Sequence, residues 1–322
     1  LYVALPDARF AKIGLQLHPA GSIMWNGLLL FGIIAPRPSA CQDRVGGEPV
    51  KRNGIMTREM LSSPGTENSG TGTLGKALSV LEIVVSADRP LRFSEILALS
   101  DQPRGTLHRH LAHLVEEGLL IQGRDLCYEP GLRLLKFAYR SWSKNQFRAV
   151  AAPHLRKLHE ETGETVHLGV LRGTEIIYVD KVESRQTVRM GSQIGNASPV
   201  YCTGLGKAAL SVLPQDRLAE TLGKLTFHRF TANTHHSVAA LKRDLDEARL
   251  RGYAFDREEH ETEIRCVAAA IHDTGFDLVG GISVTGPAYR VTMEQLEIWA
   301  HPVRQAAMAI SEDVEVRLGP GR

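Results

Sequence analysis

Two stretches of this sequence combine residue types and spacings suited to chemistry. In Gln102 to Gly118, QPRGTLHRHLAHLVEEG, the residues Leu107, Leu111, Leu114 and Val115 recur at helical spacing and define one buried stripe. The other faces carry Arg104, Gly105, Thr106, His108, Arg109 and His113, with no carboxylate between Asp101 and Glu116. A short helix that is apolar on one side and cationic with short donors on the other suits the DNA major groove. Arg104, Thr106 and His108 lie on the first exposed turns, where base edges would be met. Arg109 suits a phosphate, which a guanidinium can hold bidentately. Pro103 fits the first helical turn, and Ser100 or Asp101 can supply a capping oxygen. An ordinary amphipathic helix with a solvated face has the same pattern, so the neighbouring elements must decide.

The second stretch is Tyr201 to Leu210, YCTGLGKAAL. Its last half reads as helix, and the Thr-Gly-x-Gly entry exposes backbone amides at the helix N-terminus. Free N–H groups and the helix dipole suit a carboxylate there, although glycines before helices are also common simply as turns. The stretch is not a P-loop, since the spacing and the Ser or Thr after Lys207 are missing.

The elements that position the first stretch follow from pattern. Leu74, Leu78, Leu81, Val84 and Val85 predict a helix that ends near Asp88-Arg89-Pro90, and Phe93 to Leu99 predicts a second, with Ser94 in its cap region. Helix, short turn, helix is the helix-turn-helix arrangement. After Gly118, two short β runs flank Gly123-Arg124-Asp125 and read as the wing of a winged helix, with Arg124 at its tip within reach of phosphate. Gly131 to Leu158 reads as a helical connector with one interruption, and Pro153 marks a new helix start.

Around the second stretch the period becomes that of strands. Val166–Leu171 and Ile176–Val182 flank a turn at Arg172-Gly173-Thr174, and a third run covers Thr187–Met190. Two helices, near Asp216–Lys224 and Ser237–Gly252, precede Tyr253-Ala254-Phe255 and the acidic segment DREEHETE, Asp256 to Glu263. Strands Ile264–Ile271 and Leu278–Val284 follow, the latter running into SVTGP, and a helix from Met293 to about Glu312 closes the chain. The fold class is α+β: an N-terminal winged helix-turn-helix joined by a helical connector to a ligand-sensing domain.

Totals narrow the class. The chain has 322 residues, 43% hydrophobic and 23% charged, which is the composition of a soluble globular protein with room for two domains. A formal net charge of +2 shows no global basicity, so any DNA-binding surface is local and one copy should bind weakly. Cys41, Cys127, Cys202 and Cys266 are widely spread without a CxxC pair, which argues against a zinc knuckle or disulfide framework and for a reducing cytoplasm. Ile23 to Ala35 is too short to span a membrane, and the region before it is poor signal-peptide chemistry. Residues 1–72 are expected to be a disordered arm or a translated upstream segment, with Met56 or Met60 as the natural start.

The N-terminal pattern resembles the isocitrate-lyase-regulator (IclR) family of bacterial transcription factors. The matching residues are Lys76-Ala77-Leu78, Leu81-Glu82, Glu95-Ile96, Thr106-Leu107-His108-Arg109, Glu117-Gly118-Leu119 and Gly131 to Ala138. GLGKAAL, the acidic segment ending IRCVAAAI, and GISVTGP continue the resemblance from about Thr73 to the end. One departure is His110, where the family usually has an aliphatic residue; it sits at the edge of the buried stripe and reads as structural. The resemblance implies a GAF-like effector domain, with the effector held by residues matching Gly204, Leu205, Asp256, Cys266, Ser283 and Thr285. The expected domains are residues 73–135, winged helix-turn-helix; 136–150, connector; and 151–322, effector domain. The expected partners are a palindromic double-stranded operator, a small carboxylic acid such as a sugar-derived keto acid, and a second copy of the chain, as a homodimer or dimer of dimers. No cofactor and no membrane are expected.

Two rival classes have identifiable features. Cys266 with His260 or His272 could be imagined as nucleophile and base, and EEHETE as a metal cluster. No GxSxG, HExxH or spaced Cys/His set accompanies them, so an enzyme is not expected. A ligand-binding scaffold whose N-terminal helices contact only protein is the other alternative.

Overall fold

The computed structural model describes residues 2–4, 10–12, 72–187, 190–275 and 277–318. Strands β1 (Tyr2–Ala4) and β2 (Phe10–Lys12) pair antiparallel in a separate N-terminal unit. The expectations for the rest of residues 1–71 lie outside the described residues.

The described residues of the second unit include helix α1 (Thr73–Val85), β3 (Leu91–Arg92), α2 (Phe93–Leu99) and α3 (Arg104–Glu116). Strands β4 (Leu120–Gln122) and β5 (Cys127–Pro130) follow, and β5 lies between β3 and β4 in a small antiparallel sheet. The apolar faces of these elements meet in one core containing Val80, Leu81, Val84, Ile96, Leu107, Leu111, Leu114 and Leu120. The stripe expected on α1 is corrected: Leu74, Leu78 and Val85 are exposed, and Val80 joins Leu81 and Val84 inside. Capping also differs from expectation. Arg92 occupies the N-cap of α2, with its amide donating to Glu95 Oε2 at 2.7 Å, so Ser94 is already in the helix. Pro103 is the N-cap of α3, and Ser100 Oγ accepts from the Gln102 amide instead of capping. Gly118 takes φ +66° where α3 turns into the wing, a conformation that favours glycine.

The connector breaks earlier than the sequence suggests. Helix α4 (Leu132–Ser143) is followed at once by α5 (Gln146–Thr162), whose N-cap Asn145 accepts from the Arg148 amide at 2.9 Å. Pro153 therefore lies inside α5 and does not start a helix. The side-chain cap at Asn145 fixes the start at Gln146, about two turns before Pro153.

A six-stranded antiparallel sheet follows, in the order β8-β7-β6-β11-β10-β9. Its strands are β6 (Thr165–Arg172), β7 (Glu175–Val182), β8 (Ala197–Pro199), β9 (Ala254–Arg257), β10 (Ile264–His272) and β11 (Val279–Pro287). Strand alternation divides its residues between two cores. Val166, Leu168, Val267, Ala269, Ile282 and Val284 pack with α5 and α9 (Met293–Leu318). On the opposite face, Leu171 and Ala268 pack with α6 (Gly204–Val212), α7 (Gln215–Gly223) and α8 (Val238–Arg251). A third β run at Thr187–Met190 is not formed at its ends: Thr187 and Met190 are outside strands, while Val188 and Arg189 lie outside the described residues. The long last helix extends to Leu318, with Pro302 inside it.

Helix α6 is fixed by an ion cluster. Lys207 is completely buried, and its ammonium lies 2.6 Å from Asp244 Oδ2 on α8 and 2.5 Å from Glu259 Oε1 after β9. Burial works against the charged lysine, but the Glu259 and Asp244 charges hold its pKa above the usual value. Removing one partner of a buried pair strands the other charge, at a cost of about 3–5 kcal/mol. Lys207→Met is therefore expected to lower the unfolding free energy by about that amount in urea denaturation. A loss below about 1 kcal/mol would show that the cluster is not an anchor.

Candidate functional site

The residues singled out around α6 converge. Strand register sets Asp256 opposite Cys266, Cys266 opposite Thr285, and Ser283 opposite His167. All four strands turn these side chains to the α6 face, and the start of α6 closes the space above them. The resulting cavity has a volume of about 50 Å³, and its lining includes Gly204, Leu205, Asp256, Cys266, Ser283 and Thr285, all six positions expected from sequence. Thr203 caps α6 by accepting from the Gly206 amide at 3.2 Å. The first intrahelical bond runs from the Lys207 amide to Thr203 O, so the Gly204 and Leu205 amides precede the helix ladder. Gly204 must be glycine because a Cβ would overlap the Cys266 sulfur.

Several lining residues were missed by the sequence reading. His167 is wholly enclosed, with Nε2 2.7 Å from Ser192 Oγ and Nδ1 3.3 Å from Thr285 Oγ1. Burial, aided by the Lys181 charge, pushes its pKa down to about 3, so the ring is neutral. Its centroid lies 5.1 Å from that of Tyr178, whose hydroxyl burial pushes up to about 12. Lys181 donates to Met190 O at 2.9 Å and Ser192 O at 2.8 Å, which holds that loop over the cavity. The period-2 pattern of VHLGVL contained a signal: His167 is a polar residue on a strand face otherwise filled by Gly169 and Leu171.

The nucleophile and metal readings do not match this geometry. Burial and the Asp256 charge push the Cys266 thiol up to about 12, and His272 lies six positions along the same strand. The acidic segment is dispersed among partners. Glu258 binds Arg265 at 2.7 Å, Glu259 binds Lys207, and His260 and Glu261 line the cavity. His235 joins Asp244 and Glu259, 3.2 Å and 3.4 Å away, but the Lys207 ammonium already sits against both carboxylates.

The other expected surface lies on α3 and the wing. Arg104, Gly105, His108 and Arg109 are exposed on α3, Thr106 is half-buried, and Arg124 is exposed on the wing turn. A groove of about 580 Å³ between α3 and the wing is lined by Phe93, Arg104, Gly105, His108, Gln122, Leu126 and Tyr128. The Arg104 guanidinium lies 5.5 Å from the Phe93 ring centroid, which braces it at the mouth of this groove. His110 is inside, where the stripe expected Val115, which is only half-buried. Its Nδ1 donates to Gln102 Oε1 at 2.7 Å, and Gln102 Nε2 donates to Lys76 O on α1 at 2.7 Å.

Residues 73–123 match the IclR helix-turn-helix domain, and residues 140–312 match the bacterial transcriptional regulator IclR C-terminal domain. The chain is 32% identical to the acetate operon repressor of Salmonella typhimurium, over 77% of this chain and 90% of that protein. It is 31% identical to the transcriptional repressor IclR of Escherichia coli, over 74% of this chain and 88% of that protein. Among solved structures, the Thermotoga maritima IclR is 33% identical with a TM-score of 0.58, covering 77% of this chain and 99% of that one.

His110 makes the DNA-binding unit acid-sensitive. Burial, then the nearby charges of Arg109, His113 and Lys76, holds its pKa below the ordinary 6.5, and Nε2 has no partner among the described residues. The folded form therefore favours neutral His110. That stability is fully present above the unfolded pKa of 6.5 and is lost as the pH falls toward the lower folded value. Hydrogen exchange of α3 amides, corrected for intrinsic rates, should show less protection at pH 5 than at pH 7.5 (about one unit or more either side of the ordinary histidine value). His110→Leu should remove most of that difference, and an unchanged pH profile would refute the assignment.

Proposed function

Because the chain belongs to the IclR family of bacterial transcriptional regulators, DNA-binding proteins rather than enzymes, we propose that it represses a catabolic operon in response to a small carboxylic acid. The observation that carries this reading is the cavity in which the α6 amides, two strand hydroxyls and a buried carboxyl converge. Gly204 and Leu205 would hold the effector carboxylate at the helix N-terminus. Ser283 and Thr285, whose hydroxyl oxygens lie 3.5 Å apart, would bind its remaining oxygens with Asp256. A cavity volume of about 50 Å³ favours a compact acid over an aromatic one, since a benzene-binding cavity is about 150 Å³. A sugar-derived keto acid of few heavy atoms meets both conditions.

On the DNA side, Arg104, Thr106 and His108, with Gly105 allowing close approach, would face base edges, and Arg109 and Arg124 would hold phosphates. Helix α4 buries no residue within one copy and exposes Leu132, Leu135 and Tyr139, which favours pairing with a second copy. Two winged helices would then read a palindromic operator, and the effector would alter their spacing. Among the described residues no helix is long and apolar enough to cross a membrane, which accords with a cytoplasmic regulator.

Fluorescence anisotropy of the full chain, on duplexes from its own upstream region and from a genomic fragment library, tests the reading. Arg104→Ala should cost about 1–3 kcal/mol and flatten selectivity, whereas Arg109→Ala should weaken all duplexes alike and lower the salt slope by about one. A compact keto acid should shift wild-type binding. The absence of sequence-selective binding across the library would overturn the proposal.

A further inference from the structure

Asp256 poses an electrostatic problem for an acidic effector. It lines the cavity at 6% exposure, and its Oδ1 already accepts the Glu259 amide at 2.8 Å. No lysine or arginine is among the described residues that line the same space, whereas Glu261 is. The Lys207 ammonium stands behind the wall but is engaged by Asp244 and Glu259. A carboxylate at the α6 amides would therefore meet an ionised Asp256 across a small, water-poor space, where like charges repel strongly.

The surroundings of Asp256 favour its neutral form. On the turn that follows it stand Glu259 and His260; on β10 stands the protonated Cys266 thiol; on β7 stands Tyr178. Cys202 and Lys207 face it from the segment that begins α6, and His167 on β6 is neutral. Burial, then the Glu259 charge, pushes the Asp256 carboxyl up to about 7, against the opposing pull of Lys207. The group thus gains or loses its proton in the range where a cell operates.

Resting on the carboxylic-acid reading above, we propose that Asp256 meets the effector as a neutral acid, donating its O–H to an oxygen of the ligand, so that the anion is bound together with one proton. Where Asp256 is ionised beforehand, the proton comes from solvent, the only bond formed is its O–H, and the net charge of the cavity stays constant when the anion enters. Where it is already neutral, no proton is taken up. A ligand must then present an acceptor oxygen, as a keto or carboxylate group does, at the Asp256 end. The device also makes the sensor pH-dependent, because only the protonated fraction is competent.

Isothermal titration calorimetry of the full chain with glyoxylate and pyruvate, in buffers of different ionisation enthalpy, reads the proton directly. At pH 8 uptake should approach one proton, and at pH 6 it should be small. The apparent affinity should fall on the order of tenfold between these values as the competent fraction drops. Asp256→Asn, whose amide still donates, should abolish the uptake and flatten the profile, whereas the proton uptake should survive His260→Gln, itself a change in the cavity lining. Wild-type binding without proton uptake at pH 8 would overturn this inference and leave the carboxylic-acid reading standing. Uptake that persists in Asp256→Asn but vanishes in His260→Gln would also overturn it. Failure of both acids to bind at either pH would overturn the keto-acid reading and this inference with it.

Discussion

The buried ammonium of Lys207 is the interaction on which the effector domain's geometry depends. It joins three elements distant in sequence: α6, α8 through Asp244, and the turn after β9 through Glu259. Against the penalty of its own burial, the His235 hydrogen bond and the Lys207 charge hold the Asp244 carboxyl well below the ordinary carboxylate range. Lys207 and Asp244 are therefore held in their charged forms, and the cluster is internally hydrogen-bonded, the condition under which a buried ion group specifies one arrangement. The same Glu259 that grips Lys207 donates its amide to Asp256, so the anchor of the helix and the placement of the cavity carboxyl are one structure. Lys207 and Gly204 lie on adjacent turns of one short helix. A shift of the lysine would carry the amides with it.

The strand and helix order was largely legible in the sequence because each sheet face repeats every second residue. Once Ser283 and Thr285 are read on one face of a strand, their meeting with Cys266 and Asp256 needs only antiparallel register, which the structure supplies. What could not be read is information held in pairing across long separations. Nothing in EEHETE says that Glu258 turns to Arg265 while Glu259 turns inward to a lysine on another helix. His167 escaped notice for the same reason, since its partners Ser192 and Thr285 are 25 and 118 positions away. The errors at Ser94 and Pro153 are local instead. Propensity and proline rules placed the boundaries, but the Glu95 and Asn145 side chains bind the free amides and fix the actual starts.

His110 shows how a polar residue in the helix core can be absorbed. An aliphatic residue there would fill the core without polar demands. The imidazole needs a partner and obtains one from Gln102, whose amide in turn reaches the Lys76 carbonyl on α1. The recognition helix is thereby hydrogen-bonded to the first helix through two side chains. The arrangement replaces non-directional packing by a directional link, with one ring nitrogen left over.

The connector ties the two halves of the chain at a point close to the cavity. Trp142 at the end of α4 donates its indole N–H to Val179 O at 3.0 Å, and Arg148 lies 3.6 Å from the Trp142 ring centroid and 3.3 Å from Asp180. Val179 adjoins Tyr178, which lines the cavity and packs at a tilt against the His167 ring. Strand β7 thus carries a cavity residue on one side chain and the connector on the next carbonyl. A strand within a paired sheet moves as a unit, because displacing one residue breaks its ladder bonds on both sides. On the proposed reading, a ligand that draws Tyr178 inward would act on β7 as a whole, and the first group outside the sheet to follow would be Trp142. Helix α4 has no fully buried residue in one copy, and its half-buried Leu134 and Trp142 are the side chains through which it is held to the core and to β7. The path from cavity to DNA-binding unit is then short, and its stiff part is the sheet.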